Sequence, residues 1–264
     1  MIVILGAGKM GEALLSGLLR AGQEPSSVVA IERHEGRAAQ IAKAHGVSVV
    51  ADAEIVGRAS TLVVAVKPQD MADALAEIAP QVGAEQLVIS IAAGITTSFI
   101  EQRLPDGVPV VRVMPNTPAL VAEAMSVISP GTHASDKHLA RAKELFLSVG
   151  KVAIVPESQQ DAATALSGSG PAYVYYLVES MVDAGILLGM PRQTALELVT
   201  QAVFGAATML RESGEHPVIL REAVTSPAGT TIAAIRELEN HRVRAAFLTA
   251  IEAARDRGRE LGGS

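Results

Sequence analysis

The first eleven residues, Met-Ile-Val-Ile-Leu-Gly-Ala-Gly-Lys-Met-Gly, constrain this chain more than any other stretch. Ile2 to Leu5 form an uninterrupted apolar, mostly β-branched run, the pattern of a fully buried strand. Gly6, Gly8 and Gly11 then fit G-x-G-x-x-G, and apolar residues recur at helical spacing through Met10, Leu14, Leu15, Leu18 and Leu19. Strand, glycine turn and helix in that order suit a dinucleotide pyrophosphate. Gly6 permits the tight turn, Gly8 admits the phosphates to the backbone, and Gly11 brings helix and strand close, with the helix N-terminus facing the negative charge. The same letters can also mark a turn that only packs a helix on a sheet, so the flanking strand and helix carry the reading of a nicotinamide- or flavin-binding domain.

The pattern continues. Short β-branched runs at 2–5, 28–31, 47–50, 61–66, 87–91, 110–113, 125–128 and 152–155 alternate with helical patterns at 10–21, 35–45, 71–78, 97–104 and 135–149. Such alternation implies right-handed βαβ units and a doubly wound, mostly parallel α/β sheet covered on both faces. After Pro156 the texture is helical only, with segments predicted at 158–166, 171–188, 192–212, 218–224, 230–239 and 242–261. The expected division is a nucleotide-binding domain over 1–158 and an all-helical domain over 159–264. The stretches 171–188 and 196–210 are apolar on nearly every face. A helix apolar all round must be buried all round, and a domain of about 100 residues has little interior in which to hide two of them. The economical solution is a partner subunit with a shared helical bundle.

Composition narrows the function classes. A net charge of -6 argues against nucleic-acid binding. There is no cysteine, which removes disulfides, thiolate nucleophiles and cysteine metal sites and fits a reducing compartment. No basic leader or long apolar run precedes the first strand, and no uncharged run is long enough to span a bilayer, so a soluble cytoplasmic protein without a resident metal is expected.

Chemistry-bearing residues cluster at predicted strand ends. Glu32 follows the second strand, 21 residues beyond Gly11, where an acid accepts from a ribose 2′-OH and favours NADH. Arg33 follows at once and Arg37 a turn later; arginine there grips a 2′-phosphate and favours NADPH. The residues offer both. Ala65, Val66, Lys67 and Pro68 end the fourth strand, and Met114-Pro-Asn116-Thr-Pro118 ends the sixth, positions beyond which ligands lie in a doubly wound sheet. In the helical half, Thr225-Ser226-Pro227-Ala228-Gly229-Thr230-Thr231 precedes a helix. The hydroxyls of Ser226, Thr230 and Thr231 and exposed backbone N–H groups at a helix start can cradle a carboxylate, or can serve as a plain helix cap. No lysine occurs after Lys151, and His216 and His241 read as loop residues. Reducing a ketone calls for a strong proton donor. A cyclic imine asks mainly for positioning.

Six stretches together resemble the pyrroline-5-carboxylate reductases: Gly6-Ala-Gly-Lys-Met-Gly11, Ala65-Val-Lys-Pro68, Ser90-Ile-Ala-Ala-Gly94, Arg112-Val-Met-Pro-Asn-Thr-Pro118, Ser167-Gly-Ser-Gly-Pro-Ala-Tyr173 and Val224-Thr-Ser-Pro-Ala-Gly-Thr-Thr231. The resemblance covers essentially the whole chain. It implies an N-terminal Rossmann-type domain, an all-helical dimerisation domain, and a homodimer assembling to a higher oligomer such as a decamer. It further implies that Gly6, Ala7, Gly8, Lys9, Met10 and Gly11 hold the pyrophosphate of NADPH, with NADH as the alternative. Glu32 and Arg33 would then meet the ribose, and Ala65, Val66, Lys67, Pro68 and Asn116 line the path to the nicotinamide. Ser226, Ala228, Gly229 and Thr230 bind the carboxylate of (S)-1-pyrroline-5-carboxylate, and Thr231, the catalytic candidate, places its hydroxyl at the ring nitrogen. The implied product is L-proline. One departure stands out: the family usually has Ser-Pro-Gly-Gly where this chain has Ser226-Pro-Ala-Gly229, which strains the loop if that position has positive φ. Two other readings are a reductase of a related cyclic imine or hydroxyacid, and a cofactor-sensing module without chemistry. The missing lysine opposes a hydroxyacid substrate, and the intact hydroxyls oppose the module.

Overall fold

The computed structural model describes residues 1–261, which divide into two compact units. One comprises Met1–Ser169 with the C-terminal residues from Ala254 onward; the other is Gly170–Ala253. The division between units falls at Ser169, eleven residues beyond the boundary expected from texture alone.

The first unit holds eight strands: β1 (Ile2–Leu5), β2 (Val28–Ile31), β3 (Ser48–Val50), β4 (Thr61–Val64), β5 (Leu87–Ser90), β6 (Val110–Met114), β7 (Ala124–Pro130) and β8 (Gly150–Ile154). They form one sheet in the order β3-β2-β1-β4-β5-β6-β7-β8. Every pairing is parallel except β6 with β7. Helices α1 (Lys9–Arg20), α2 (Glu35–His45), α3 (Met71–Ile78), α4 (Thr97–Glu101), α5 (Asp136–Leu147) and α6 (Gln160–Ala163) connect and cover it. Because βαβ crossovers put helices on both faces, β1, β2, β4 and β5 are buried along their whole length. Two cores result. One, around Ile4, Leu14, Leu15 and Phe146, lies under α1 and α5. The other, around Val3, Leu62, Met71, Leu75 and Ile100, lies under α3 and α4.

Two helices end earlier than their apolar spacing predicts. α4 stops at Glu101 rather than Leu104; Pro105 disfavours helical backbone at Leu104 and cannot donate to the turn before it. The segment expected as one helix over 158–166 is instead a short α6 followed by a π-turn at Thr164–Gly168, closed by Ser169 N–H donating to the Thr164 carbonyl at 2.8 Å.

The second unit is helical throughout: α7 (Gly170–Leu187), α8 (Arg192–Ser213), α9 (Pro217–Ala223), α10 (Thr230–Asn240) and the greater part of α11 (Val243–Leu261). α7 packs on α8 and carries all three tyrosines of the chain, Tyr173, Tyr175 and Tyr176. Among the described residues of this unit only Val182 and Ala195 are buried. Tyr176, Leu187 and Phe204 are 74%, 88% and 64% exposed. Among the described residues, no helix is long and apolar enough to cross a membrane.

Candidate active site

The sheet changes direction of growth between β1 and β4, and the loops leaving the carboxyl ends of those strands meet there. Gly6 N–H donates to the Ile31 carbonyl at 3.1 Å, and Ala65 N–H to that of Leu5 at 2.8 Å. A crevice at such a switch point is where doubly wound sheets bind ligands. Each glycine has its own reason. Gly6 has φ 95°, and a methyl group on it would lie 2.9 Å from the Ala65 carbonyl oxygen. A methyl on Gly11 would lie 2.2 Å from the Gly6 carbonyl oxygen, so helix and turn touch only because it is absent. A methyl on Gly8 would meet nothing within 4 Å. Gly8 caps α1 with extended backbone and no side-chain hydrogen bond. Its open face, the uncapped helix start and exposed Lys9 fit a pyrophosphate. Ala7 is buried, and Met10 packs on the core beneath.

A brace of charged groups holds this loop from behind. Glu12, in the first turn of α1, pairs with the Arg37 guanidinium and lies 3.1 Å from His45 Nε2. Arg37 Nε donates to the Ala7 carbonyl at 3.3 Å. Burial pushes the Glu12 carboxyl up, but hydrogen bonds from His45 and Arg37, together with their charges, outweigh it and hold the group below the usual carboxylate range. Arg37 is thus committed to the loop. Glu32 accepts from His34 N–H at 2.9 Å at the end of β2. Arg33 reaches across to pair with Glu77 of α3. A cavity of about 300 Å³ opens there, lined by Gly6, Ile31, Arg33 and Val66, with Asp70, Asp73 and Glu77 from the α3 side.

Further along the same sheet edge, a larger cavity of about 750 Å³ is bounded by Pro68, Gly94 and Ile95 from the strand ends, Asp161, Thr164 and Ser169 around the π-turn, and Arg257 of α11. Lys67 is exposed beside it in sequence. Asn116 is buried, and both ends of its amide are engaged: Nδ2 donates to the Ser167 carbonyl at 2.8 Å and Oδ1 accepts from Met125 N–H at 2.9 Å. It therefore ties the end of β6 to the π-turn and to β7. Nearby, buried Arg112 pairs with Glu157 at 3.3 Å and Asp161 at 3.7 Å. Glu157 also accepts from Thr97 N–H at 2.8 Å, which anchors the start of α4, just beyond the Gly94 loop.

The second unit holds Ser226, Ala228, Gly229, Thr230 and Thr231 in one turn. Gly229 N–H donates to the Ser226 carbonyl at 3.1 Å, with Pro227 and Ala228 at the corner. Ala228 has φ 55°. Proline followed by a positive-φ residue is the pattern of a type II turn, which calls for glycine at the second corner, so the departure seen in the sequence falls on a strained position. Gly229 caps α10 with no side-chain hydrogen bond, and a methyl there would lie 2.3 Å from Ser226 Oγ. Ser226 and Thr230 are exposed and Thr231 is half-buried.

Three groups escaped the reading of the sequence. Asp70 at the N-cap of α3 and Asp73 and Glu77 within it recur at helical spacing, a signal that periodicity could have shown. Arg257 and Gly258 join the larger cavity only because the last helix returns to the first unit. Asp161 and Thr164 lie in a segment that reads as ordinary helix.

Comparison with known proteins identifies the family. Residues 157–261 match the family model described as pyrroline-5-carboxylate reductase dimerisation. Residues 1–94 match that described as NADP oxidoreductase, coenzyme F420-dependent. Pyrroline-5-carboxylate reductase of Methanosarcina acetivorans is 46% identical over 99% of this chain and 97% of its own length. That of Corynebacterium melassecola is 42% identical over 99% and 98%. Among solved structures, the Coxiella burnetii enzyme of that name superposes with a TM-score of 0.94 at 34% identity, over 98% of this chain and 97% of that one. The Plasmodium falciparum pyrroline carboxylate reductase, solved with NADP bound, gives 0.88 at 28% identity, over 99% and 97%. Glycine loop, helical half and near-complete coverage all lead to one assignment: the chain belongs to the pyrroline-5-carboxylate reductase family.

Proposed function

We propose that this chain reduces (S)-1-pyrroline-5-carboxylate to L-proline with NAD(P)H, as the last step of proline biosynthesis. The relatives' shared name supplies the substrate. The observation that carries it to this chain is the turn at Ser226–Gly229, where α10 begins with no side-chain cap among hydroxyls at Ser226, Thr230 and Thr231. That combination suits a small carboxylate next to a ring nitrogen.

When bound, the nicotinamide supplies the hydride that reduces the C=N carbon. The chain does the rest by positioning. The backbone of Gly6, Ala7, Gly8, Lys9, Met10 and Gly11 receives the pyrophosphate, with α1 directed at its charge. Glu32 and Arg33 meet the adenosine ribose. Ala65, Val66, Lys67 and Pro68 follow the strand ends toward the nicotinamide, and Asn116 acts by holding the loop there. The N–H groups at the start of α10, with Ser226 Oγ, bind the carboxylate through Ala228, Gly229 and Thr230. Thr231 places its hydroxyl at the ring nitrogen, where its oxygen accepts from the protonated N–H and so stabilises the iminium form that takes hydride at carbon.

The working unit is a homodimer, because the second unit exposes apolar side chains on several faces and a second copy covers them. Dimers assemble further, to a decamer in this proposal, and light scattering on the purified protein measures that mass. A cytoplasmic location, expected from the cysteine-free composition, is proposed with it. The decisive assay follows the loss of NAD(P)H absorbance on adding pyrroline-5-carboxylate. Thr231→Ala is expected to lower kcat about a hundredfold with cofactor affinity unchanged. Full turnover in that variant removes Thr231 from the chemistry.

A further inference from the structure

The cavity beside Arg33 has an unusual charge pattern for a place that receives an adenosine ribose. Among the described residues that line it Arg33 is the only cation, and it faces Asp70, Asp73 and Glu77 from the α3 side. Arg33 is paired with Glu77, the two side chains being 67% and 39% exposed. The second candidate cation, Arg37, is taken by Glu12 and the Ala7 carbonyl. Glu32 is engaged with His34 N–H at the strand end. A 2′-hydroxyl entering here displaces nothing and can donate to a carboxylate. A 2′-phosphate must draw Arg33 away from Glu77 and then sit near an unpaired carboxylate.

We propose that Glu77, from α3, sets the cofactor's phosphate selectivity: it competes with the 2′-phosphate for Arg33 and so lowers affinity for the phosphorylated dinucleotide relative to the unphosphorylated one. This inference rests on the dinucleotide reading given above and adds a residue outside the glycine motif and outside β2. Glu77 is a positioning residue here, since it acts through Arg33. Because the pair is solvent-exposed, its effect is modest.

The test is equilibrium binding of two fragments, ADP and 2′,5′-ADP, measured calorimetrically without turnover. ADP serves as the internal reference, so a general loss of folding moves both constants together and leaves their ratio unaltered. Glu77→Gln is expected to raise the preference for 2′,5′-ADP over ADP by about twofold to fivefold, the upper part of the range of an exposed ion pair converted to affinity. Arg33→Ala is expected to lower that preference. In the Arg33→Ala background, Glu77→Gln is expected to change it by less than about twofold, the residual repulsion at exposed distance. An unchanged ratio in Glu77→Gln, with both fragments binding, overturns the inference alone. A full gain that persists without Arg33 overturns the competition and leaves direct repulsion in its place. Failure of both fragments to bind the wild-type protein overturns the dinucleotide reading, and this inference with it.

Discussion

The two compact units use apolar side chains in opposite ways. In the first, strands buried along their whole length and two cores on opposite faces of one sheet hide nearly all large aliphatic residues. In the second, only Val182 and Ala195 are buried among the described residues, while tyrosine, leucine and phenylalanine lie open on α7 and α8. A chain that is apolar in both halves closes a core by itself in one and leaves it to be closed by another copy in the other. The helical half is therefore expected to be stable only as a shared structure, with a melting temperature that depends on protein concentration while that of the sheet does not.

The hardest blow to this contrast is charge on the open helices. Tyr176→Asp combined with Phe204→Asp is expected to cost the assembled state about 4 kcal/mol or more by burying carboxylates in an apolar contact. Light scattering should then give the monomer mass, and the helical unit should melt early while the sheet unit is unaffected. Retention of the dimer with unchanged melting would mean that the helical unit is complete within one chain. In the first unit, Arg112→Met removes the cation that separates Glu157 from Asp161 and is expected to cost about 3–5 kcal/mol, at a transition independent of concentration. A concentration-dependent loss would show that the sheet unit also leans on its partner.

Smaller substitutions sharpen the picture. Ala228→Gly relieves a positive-φ alanine and is expected to stabilise the protein by about 1 kcal/mol; a fall in Tm would show that alanine makes a contact outweighing its strain. The smallest effect is on acid stability. Glu12 sits below its ordinary value of 4.5, so its interactions stabilise the fold above that pH and are lost as pH falls through the depressed folded value. Glu12→Gln should therefore flatten the decline in stability below pH 4.5, and an equal slope in both proteins would remove the brace from the account.

How far the sequence could be read depended on how local the determinants are. All eight strands and the glycine loop were visible because β-branched runs and glycine spacing act within a few residues. The apolar surround of α7 and α8 announced a partner for the same reason. The π-turn at Thr164–Gly168 was not visible. The Asn116 amide that anchors it reaches the Ser167 carbonyl 51 residues away. The strand reversal between β6 and β7 was likewise hidden, because a buried strand reads alike in either direction. Glu77 was passed over because it lies on α3, and nothing in its neighbourhood in the chain pairs it with Arg33.

The placement of the three tyrosines gives the molecule a built-in optical label. The chain has no tryptophan, so its intrinsic emission arises from Tyr173, Tyr175 and Tyr176, all on α7. The sheet unit, with no tyrosine, is dark at those wavelengths. Tyr175 and Tyr176 are 64% and 74% exposed in a single chain. Association across α7 alters their surroundings and their polarisation, whereas unfolding of the sheet unit does not. Emission anisotropy on dilution thus follows assembly in the unmodified protein.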